Sequence, residues 1–325
     1  MVNSASVRAK VMEITDEELM AMILGDAEYL YLIANSPEWM ALIANNTAWL
    51  DFICKNEAIL LEFLKYDTAV TAFLNSTEIA KPKLLAVIDS LLKSENFLEE
   101  VVKDAGWMET ICVDSNLLTK MIGSNLAVSK MIQSAVVGEV IGKYDLALSL
   151  CILNDDSVVA DEFLFSNIIV TELAKNNSAM LKIANDVSAM ELLTDNGNTS
   201  RLAILTQYET AYAAIHSKQI ALNAILSKAL ATEAYFSREA VIKNFVTNEI
   251  AMDYVANHPA YATTVLSNDK ISPEIVVSET AMNAFAISAN GRAAIESNET
   301  IKGIVMNSQL GATKMIAGYA GASLD

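Results

Sequence analysis

Tyr29-Leu-Tyr-Leu-Ile-Ala-Asn35 stands ten residues ahead of Trp39-Met-Ala-Leu-Ile-Ala-Asn45. The frame returns at 49–55, 59–65 and 69–75 without a gap. One column reads Leu30, Met40, Leu50, Leu60, Val70, and another Ile33, Ile43, Ile53, Phe63, Phe73. After an interruption near Pro82 the rhythm resumes near residue 114. Clear copies are Ser178-Ala-Met-Leu-Lys-Ile-Ala-Asn185, Ser188-Ala-Met-Glu-Leu-Leu-Thr194, Ile250-Ala-Met-Asp-Tyr-Val-Ala-Asn257 and Thr280-Ala-Met-Asn-Ala-Phe-Ala-Ile-Ser288. Spacing there is mostly ten, with occasional units of nine or eleven, and roughly two dozen units cover most of the chain. Internal repetition on this scale decides the architecture before any single residue does.

Within a unit the apolar positions fall at 39, 40, 43 and 44, the spacing of one helical face. A pentapeptide β-helix fails, because Asn45 stands five beyond Met40 where a core residue would be needed. One long helix also fails. Ten residues at about 100° each end about 80° short of three turns, so the apolar stripe would spiral around the rod. The helix must break once per unit. Asn, Ser, Thr and Asp stand at the breaks, where their side chains cap helix starts and Asn tolerates a left-handed stop. With 25 Asn against 11 Gly, Asn is the expected punctuation. Pro follows such residues in Ser36-Pro37, Ser272-Pro273 and, shifted by one, Asn257-His258-Pro259, where the first helical turn tolerates it.

Helices of about two turns do not persist alone. The expected fold is therefore all-α: a solenoid-like array of short helices in tandem repeats of about ten residues, held mainly by nearest-neighbour contacts. Five segments are expected. Residues 1–25 form an N-terminal capping helix, with Thr15-Asp16-Glu17-Glu18 as a capping box and Gly25 as its stop. Residues 26–81 form the first repeat block. Residues 82–113 interrupt it with two longer helices, over 83–93 and 97–104. Residues 114–317 form the second block, with a mild lapse at Val136–Gly142, and residues 318–325 a flexible tail.

Of the 325 residues 53% are apolar and 19% charged, too apolar for disorder. Forty acidic residues oppose 22 basic ones, a net charge of −18 that repels nucleic acid and anionic lipid. Cys54, Cys112 and Cys151 are few, odd in number and far apart, which argues for buried apolar side chains and against a disulfide framework. No apolar run is long enough to span a bilayer, and the start shows no signal-peptide pattern, so neither insertion nor secretion is expected.

The sequence offers little chemistry. His216 and His258 each fall at a unit boundary with no ligand-spaced neighbour, and read as polar boundary residues. Asp155-Asp156 and Asp161-Glu162 gather carboxylates. Asp195-Asn-Gly-Asn-Thr199 resembles a scrap of calcium loop without its glycine at position six or its closing glutamate, and reads as a polar turn. Arg201, Arg238 and Arg292 are isolated, and no glycine-rich phosphate loop or nucleophile elbow is present. Trp39 and Trp49 share one column with Tyr29 and Ile59, so with Trp107 they form either a core ladder or, less favoured, an aromatic binding patch. No catalytic, cofactor-binding or metal-binding residue is assigned, and no enzyme is expected.

Units reading Ser/Asn-x-x-Ala-Met-x-x-Ile/Val-Ala-x-Ser/Asn, at 36–45, 176–185, 248–257 and 279–288, resemble repeats of structural proteins of tailed bacteriophages. Weaker copies extend the likeness over about four-fifths of the chain. The resemblance implies a virion component assembled in the host cytoplasm: a tail fibre, adaptor or collar-type appendage. It would act in assembly or attachment, with other virion proteins and further copies of itself as partners and no nucleic acid. The alternative is a cytosolic adaptor holding peptides or proteins in a groove of the array.

Overall fold

The computed structural model describes residues 4–76, 81–154, 158–195 and 199–321, side chains at 81, 82, 84 and 158 excepted. These residues contain thirty helices and no strand, and most helices are six to nine residues long. The array of short helices read from the ten-residue rhythm is present.

Many breaks share one build. Helix Ala27–Ala34 ends on Asn35 in right-handed conformation (φ −91°, ψ −4°), and Ser36 turns to extended backbone (φ −96°, ψ 116°) before Pro37–Ala44 begins. Ser36 caps the new helix, and Asp26, Asn46, Ser134, Asn176, Asp186 and Asn248 do the same elsewhere. No break among the described residues uses the left-handed stop expected of Asn. Among the described residues the only positive φ belongs to Gly321, at 65°, which closes the last helix. Asn works differently at the C-terminal side. The Nδ2 groups of Asn35, Asn45, Asn56, Asn75 and Asn257 donate to the carbonyls four residues back, at 2.7–2.9 Å. Those carbonyls lie in the last turn, and those of Tyr31 and Thr71 also accept the backbone N–H of Asn35 and Asn75.

Burial repeats with the sequence: two inward residues, two outside, two inward, four at the break. The first inward position holds Trp39, Trp49 and Ala69, and the second Met40, Leu50, Leu60 and Val70. The third holds Ile43, Ile53, Phe63 and Phe73, and the fourth Ala44 and Leu64. From residue 201 to 286 the frame reads, for example, Ala251, Met252, Val255, Ala256 and then Ala281, Met282, Phe285, Ala286.

Helices pack against the next in sequence, as Pro37–Ala44 does on Thr47–Lys55 and Glu279–Ile287 on Ala289–Ser297, and many also pack against the third helix on. Pro37–Ala44 lies on Asp67–Leu74, and Ala105–Cys112 on Ala135–Lys143. Glu249–Asn257 lies on Glu279–Ile287, and that helix on Gln309–Ala320. Three units therefore make one rung, and the structural period is three times the sequence period. Two compact units contain this stacking, residues 1–147 and 148–325.

Serines staple the rungs. Ser134 Oγ donates to Val102 O at 2.5 Å, Ser278 to Val246 O at 2.6 Å and Ser288 to Ala256 O at 2.6 Å, each across 32 residues. Ser76 reaches Ala44 O, Ser94 reaches Leu64 O and Thr210 reaches Ala174 O in the same way. Every one of these acceptors stands in the fourth inward position.

Several boundaries differ from those expected. The 1–25 segment holds two helices, Ala5–Met12 and Glu17–Gly25, and the cap is Asp16, which accepts from Glu18 and Leu19 N–H. The 82–113 segment is not an insert of two long helices. Only Lys81–Leu91 is long, at eleven residues; Glu95–Val101 and Ala105–Cys112 are ordinary units in frame. The inward frame moves from Val70 and Phe73 to Ile88 and Leu91, 18 residues on, where two units would take 20. Two other intervals carry two extra residues, Leu148 to Ala160 and Met190 to Leu202, so the departures from ten are one local shortening and two local insertions rather than units of nine or eleven. At 136–142 there is no lapse: Gly138 and Gly142 are buried in frame. Residues 318–320 are helical, not a flexible tail, and a Cβ at Gly318 would run into the carbonyl of Ala286. Residues 322–325 lie outside the described residues. Ser272 is the first helical residue rather than the cap, so Pro273 is the second.

Candidate functional site

His216 is not a boundary residue. It fills the fourth inward position of Glu209–His216 and is fully buried against Tyr235 and Phe245. Nδ1 lies 2.7 Å from Asn244 Oδ1, and Nε2 lies 3.1 Å from Tyr235 OH. The arrangement that satisfies every atom has Nδ1–H donating to Asn244 while Nε2 accepts from the phenol. Burial pushes the imidazole pKa down to about 4, against a smaller opposing effect of Asn244, and pushes the Tyr235 phenol well above its ordinary value. The ring is neutral at pH 7, with both nitrogens occupied and no face toward solvent. The sequence hint that was missed is the frame itself, which places residue 216 in line with Leu226, Phe236 and Val246.

His258 does stand at a boundary. It is exposed, precedes Pro259, and its Nδ1 lies 2.7 Å from Tyr254 O. Cys112 and Cys151 are buried, and burial raises the Cys112 thiol to about 12; Cys54 is half-buried and also raised by burial. Trp39 and Trp49 are buried in the first inward position, which makes them part of the core ladder. Trp107 is half-buried and donates to Leu74 O at 2.7 Å across a rung.

Arg201 also stands in a core column, that of Ala211, Ala221 and Ala251, and is fully buried. Its guanidinium lies 3.9 Å from the Phe165 ring centre and donates to Leu192 O at 2.8 Å. Burial lowers its pKa, with Asp195 and Asp161 opposing. Arg292 is half-buried against Ala286 O and Ile287 O, and Arg238 sits at a break. Asp161 and Glu162 are on one helix, the first half-buried and the second exposed. Asp155, Asp156 and 196–198 lie outside the described residues. Among the described residues no three His, Cys, Asp or Glu side chains converge as a metal would need.

The surface carries extended features instead. Lysines of one rung reach back to carboxylates of the rung before: Lys93 to Glu57, Lys120 to Asp89, Lys130 to Glu95 and Glu99, and Lys314 to Glu279. Shallow grooves run between stacked helices. The most varied lies over Val187–Leu193, Gln219–Leu226 and Glu249–Asn257, with Glu191, Asn223, Lys228 and Tyr254 on its walls. Lys228 Nζ donates to Thr194 Oγ1 at 3.0 Å, and Tyr261 OH donates to Asn223. Tyr254, His258 and Tyr261 pack ring on ring beside it, with centroids 4.2 and 5.6 Å apart. Acceptors, a cation and aromatic faces in one trough suit extended polar chains. No helix among the described residues is long and apolar enough to cross a membrane. No protein-family model matches the chain, and no curated protein matches it as a relative.

Proposed function

We propose that the chain is a non-enzymatic structural protein of a phage virion, a tail fibre, adaptor or collar-type component, built as an α-solenoid. The observation that carries this reading is where the chemistry-bearing side chains go. His216, Arg201, Cys112 and Cys151 are all committed to the core, while grooves and charged ladders repeat outward. Long repeated surfaces suit many shallow contacts with partner subunits. The likeness of the 36–45, 176–185, 248–257 and 279–288 units to phage repeats supports the virion setting. The test is sedimentation of purified particles. Recovery of the chain with them in a fixed copy number supports the reading, and its absence from intact particles overturns it.

The groove beside Tyr254 favours a second reading, an adaptor that binds extended peptides. Titration of a peptide library against the chain and against Lys228→Glu separates the two. Micromolar capture that the substitution abolishes, by a chain absent from particles, selects the adaptor.

A further inference from the structure

Several lysines reach back one rung and end on carboxylates, as Lys93 does on Glu57, Lys130 on Glu95 and Lys314 on Glu279. Lys228 makes the same reach, across 34 residues, and ends on a hydroxyl, Thr194 Oγ1, at 3.0 Å. That hydroxyl gives its own hydrogen to Met190 O at 2.7 Å, so it offers the ammonium only a neutral lone pair. Lys228 lines the trough over Val187–Leu193, Gln219–Leu226 and Glu249–Asn257, and so does Glu191. The whole trough lies within the unit 148–325. Among the described residues neither Lys228 nor Glu191 forms an ion pair. One groove thus holds an ammonium and a carboxylate, each without a partner of opposite charge.

The two charges are near each other. Thr194 Oγ1, which receives the ammonium, is 3.4 Å from the main-chain oxygen of Glu191. Side chains three apart on a helix have Cβ atoms about 5–6 Å apart. In an extended peptide, side chains two residues apart share one face at about 7 Å. A cationic and an anionic side chain so placed meet Glu191 and Lys228 together. The trough also suits the main chain between them. Tyr261 OH donates to Asn223 Oδ1, which leaves the two Nδ2 hydrogens of this exposed amide for a ligand carbonyl. Val187 and Ile220 add apolar wall, and Tyr254 closes the side away from Glu191.

We propose that the trough binds an extended peptide segment carrying a cationic side chain (Arg or Lys) and an anionic one (Asp or Glu) two residues apart. The cation pairs with Glu191, the anion with Lys228, and a main-chain carbonyl accepts from Asn223. The net charge of −18 draws basic peptides to any part of the surface and repels acidic ones. A segment with one charge of each sign gains nothing from that field, so its selection falls to these two side chains. The proposal rests on the adaptor reading of this trough and adds to it the pattern that the trough selects.

The test uses the full chain and short, end-blocked, fluorescein-labelled peptides that differ only at the charged pair. Arg-Ser-Asp and Asp-Ser-Arg are compared with versions in which Gln replaces Arg, Asn replaces Asp, or both. In anisotropy titrations the better of the two charged orders is expected to bind about fivefold tighter than either single-charge peptide, the upper range for a partly exposed ion pair. Lys228→Met abolishes the advantage of Asp over Asn, and Glu191→Gln abolishes that of Arg over Gln. Asn223→Ala weakens all the peptides alike. If every peptide binds equally to the unaltered chain, the charge pairing is overturned while the adaptor reading stands; if none binds at millimolar concentration, both fall. A charge preference that survives both substitutions also overturns the proposal. Should a variant fail to fold, carbodiimide coupling of the bound Arg/Asp peptide to the unaltered chain decides. Attachment of the peptide carboxylate at Lys228 supports the assignment, and attachment only at other lysines overturns it.

Discussion

His216 shows how a single position can trade charge for fit. In the fold its proton affinity is pushed down to about 4, whereas in an unfolded chain it returns to about 6.5. Between those values the unfolded state binds a proton that the folded state refuses, so stability rises with pH across this window. The contribution is complete above pH 6.5 and is lost as pH falls toward 4, to about 3 kcal/mol. Acid unfolding also carries the pH dependence of other groups, so the comparison must be made against His216→Gln. Urea unfolding at several pH values is expected to show a steeper acid loss for the native chain than for the variant. Direct NMR titration of the ring offers a sharper check, and a midpoint near 6.5 in the folded protein would contradict the buried, neutral imidazole. Ile43 makes the complementary case. It is fully buried in the third inward position, and Ile43→Asp would place an unpaired carboxylate there. The expected cost is several kcal/mol, read as loss of helical circular dichroism from residues 1–147 at lower denaturant.

At the scale of one helix and its break, the serine at the cap does two things. Ser288 accepts from Gly291 N–H at 3.2 Å and donates to Ala256 O at 2.6 Å, so it both starts its own helix and ties it to the rung before. Ser36 only caps, since its hydroxyl turns to the exposed Glu38. Ser288→Ala is therefore expected to cost about 2 kcal/mol, a lost cap plus a buried carbonyl left without a partner, and Ser36→Ala about 1 kcal/mol. Equal losses in urea unfolding would deny the staple. The caps themselves were legible in the sequence, because Ser, Asn and Asp at a break have a local reason to be there. The staples were not, because their acceptors lie about 32 residues away and nothing local marks them. Asn was placed correctly at the breaks, and at helix starts for the expected reason; at helix ends its amide instead returns to the carbonyl four residues back, and no described Asn turns left-handed. His216 was misplaced for a related cause, and Arg201 was given no place at all. Reading each polar residue as punctuation overlooks that the frame, once shifted by an insertion, carries some of them into the core.

For the whole molecule, the ten-residue period fixes the helices and a thirty-residue period fixes their partners. Only the first is visible in sequence, since three units differ too little to announce that they close a rung. The distinction can be tested by insertions at the break between Asn177–Ile183 and Val187–Leu193. Five added residues turn the inward positions outward and should unfold that region. Ten preserve every helix and its burial pattern, yet each helix that follows meets a neighbour one place out of step. The bond from Thr210 to Ala174 is one that such a shift breaks. Thirty residues copied from this array insert a full rung, so Asn167–Ala174 and Ser200–Leu205 each stack on a copy rather than a stranger. Thermal unfolding is expected to rank thirty above ten and ten above five. If ten residues were tolerated as well as thirty, stacking would depend on burial alone, and the serine and lysine ties between rungs would have no part in choosing which helices meet.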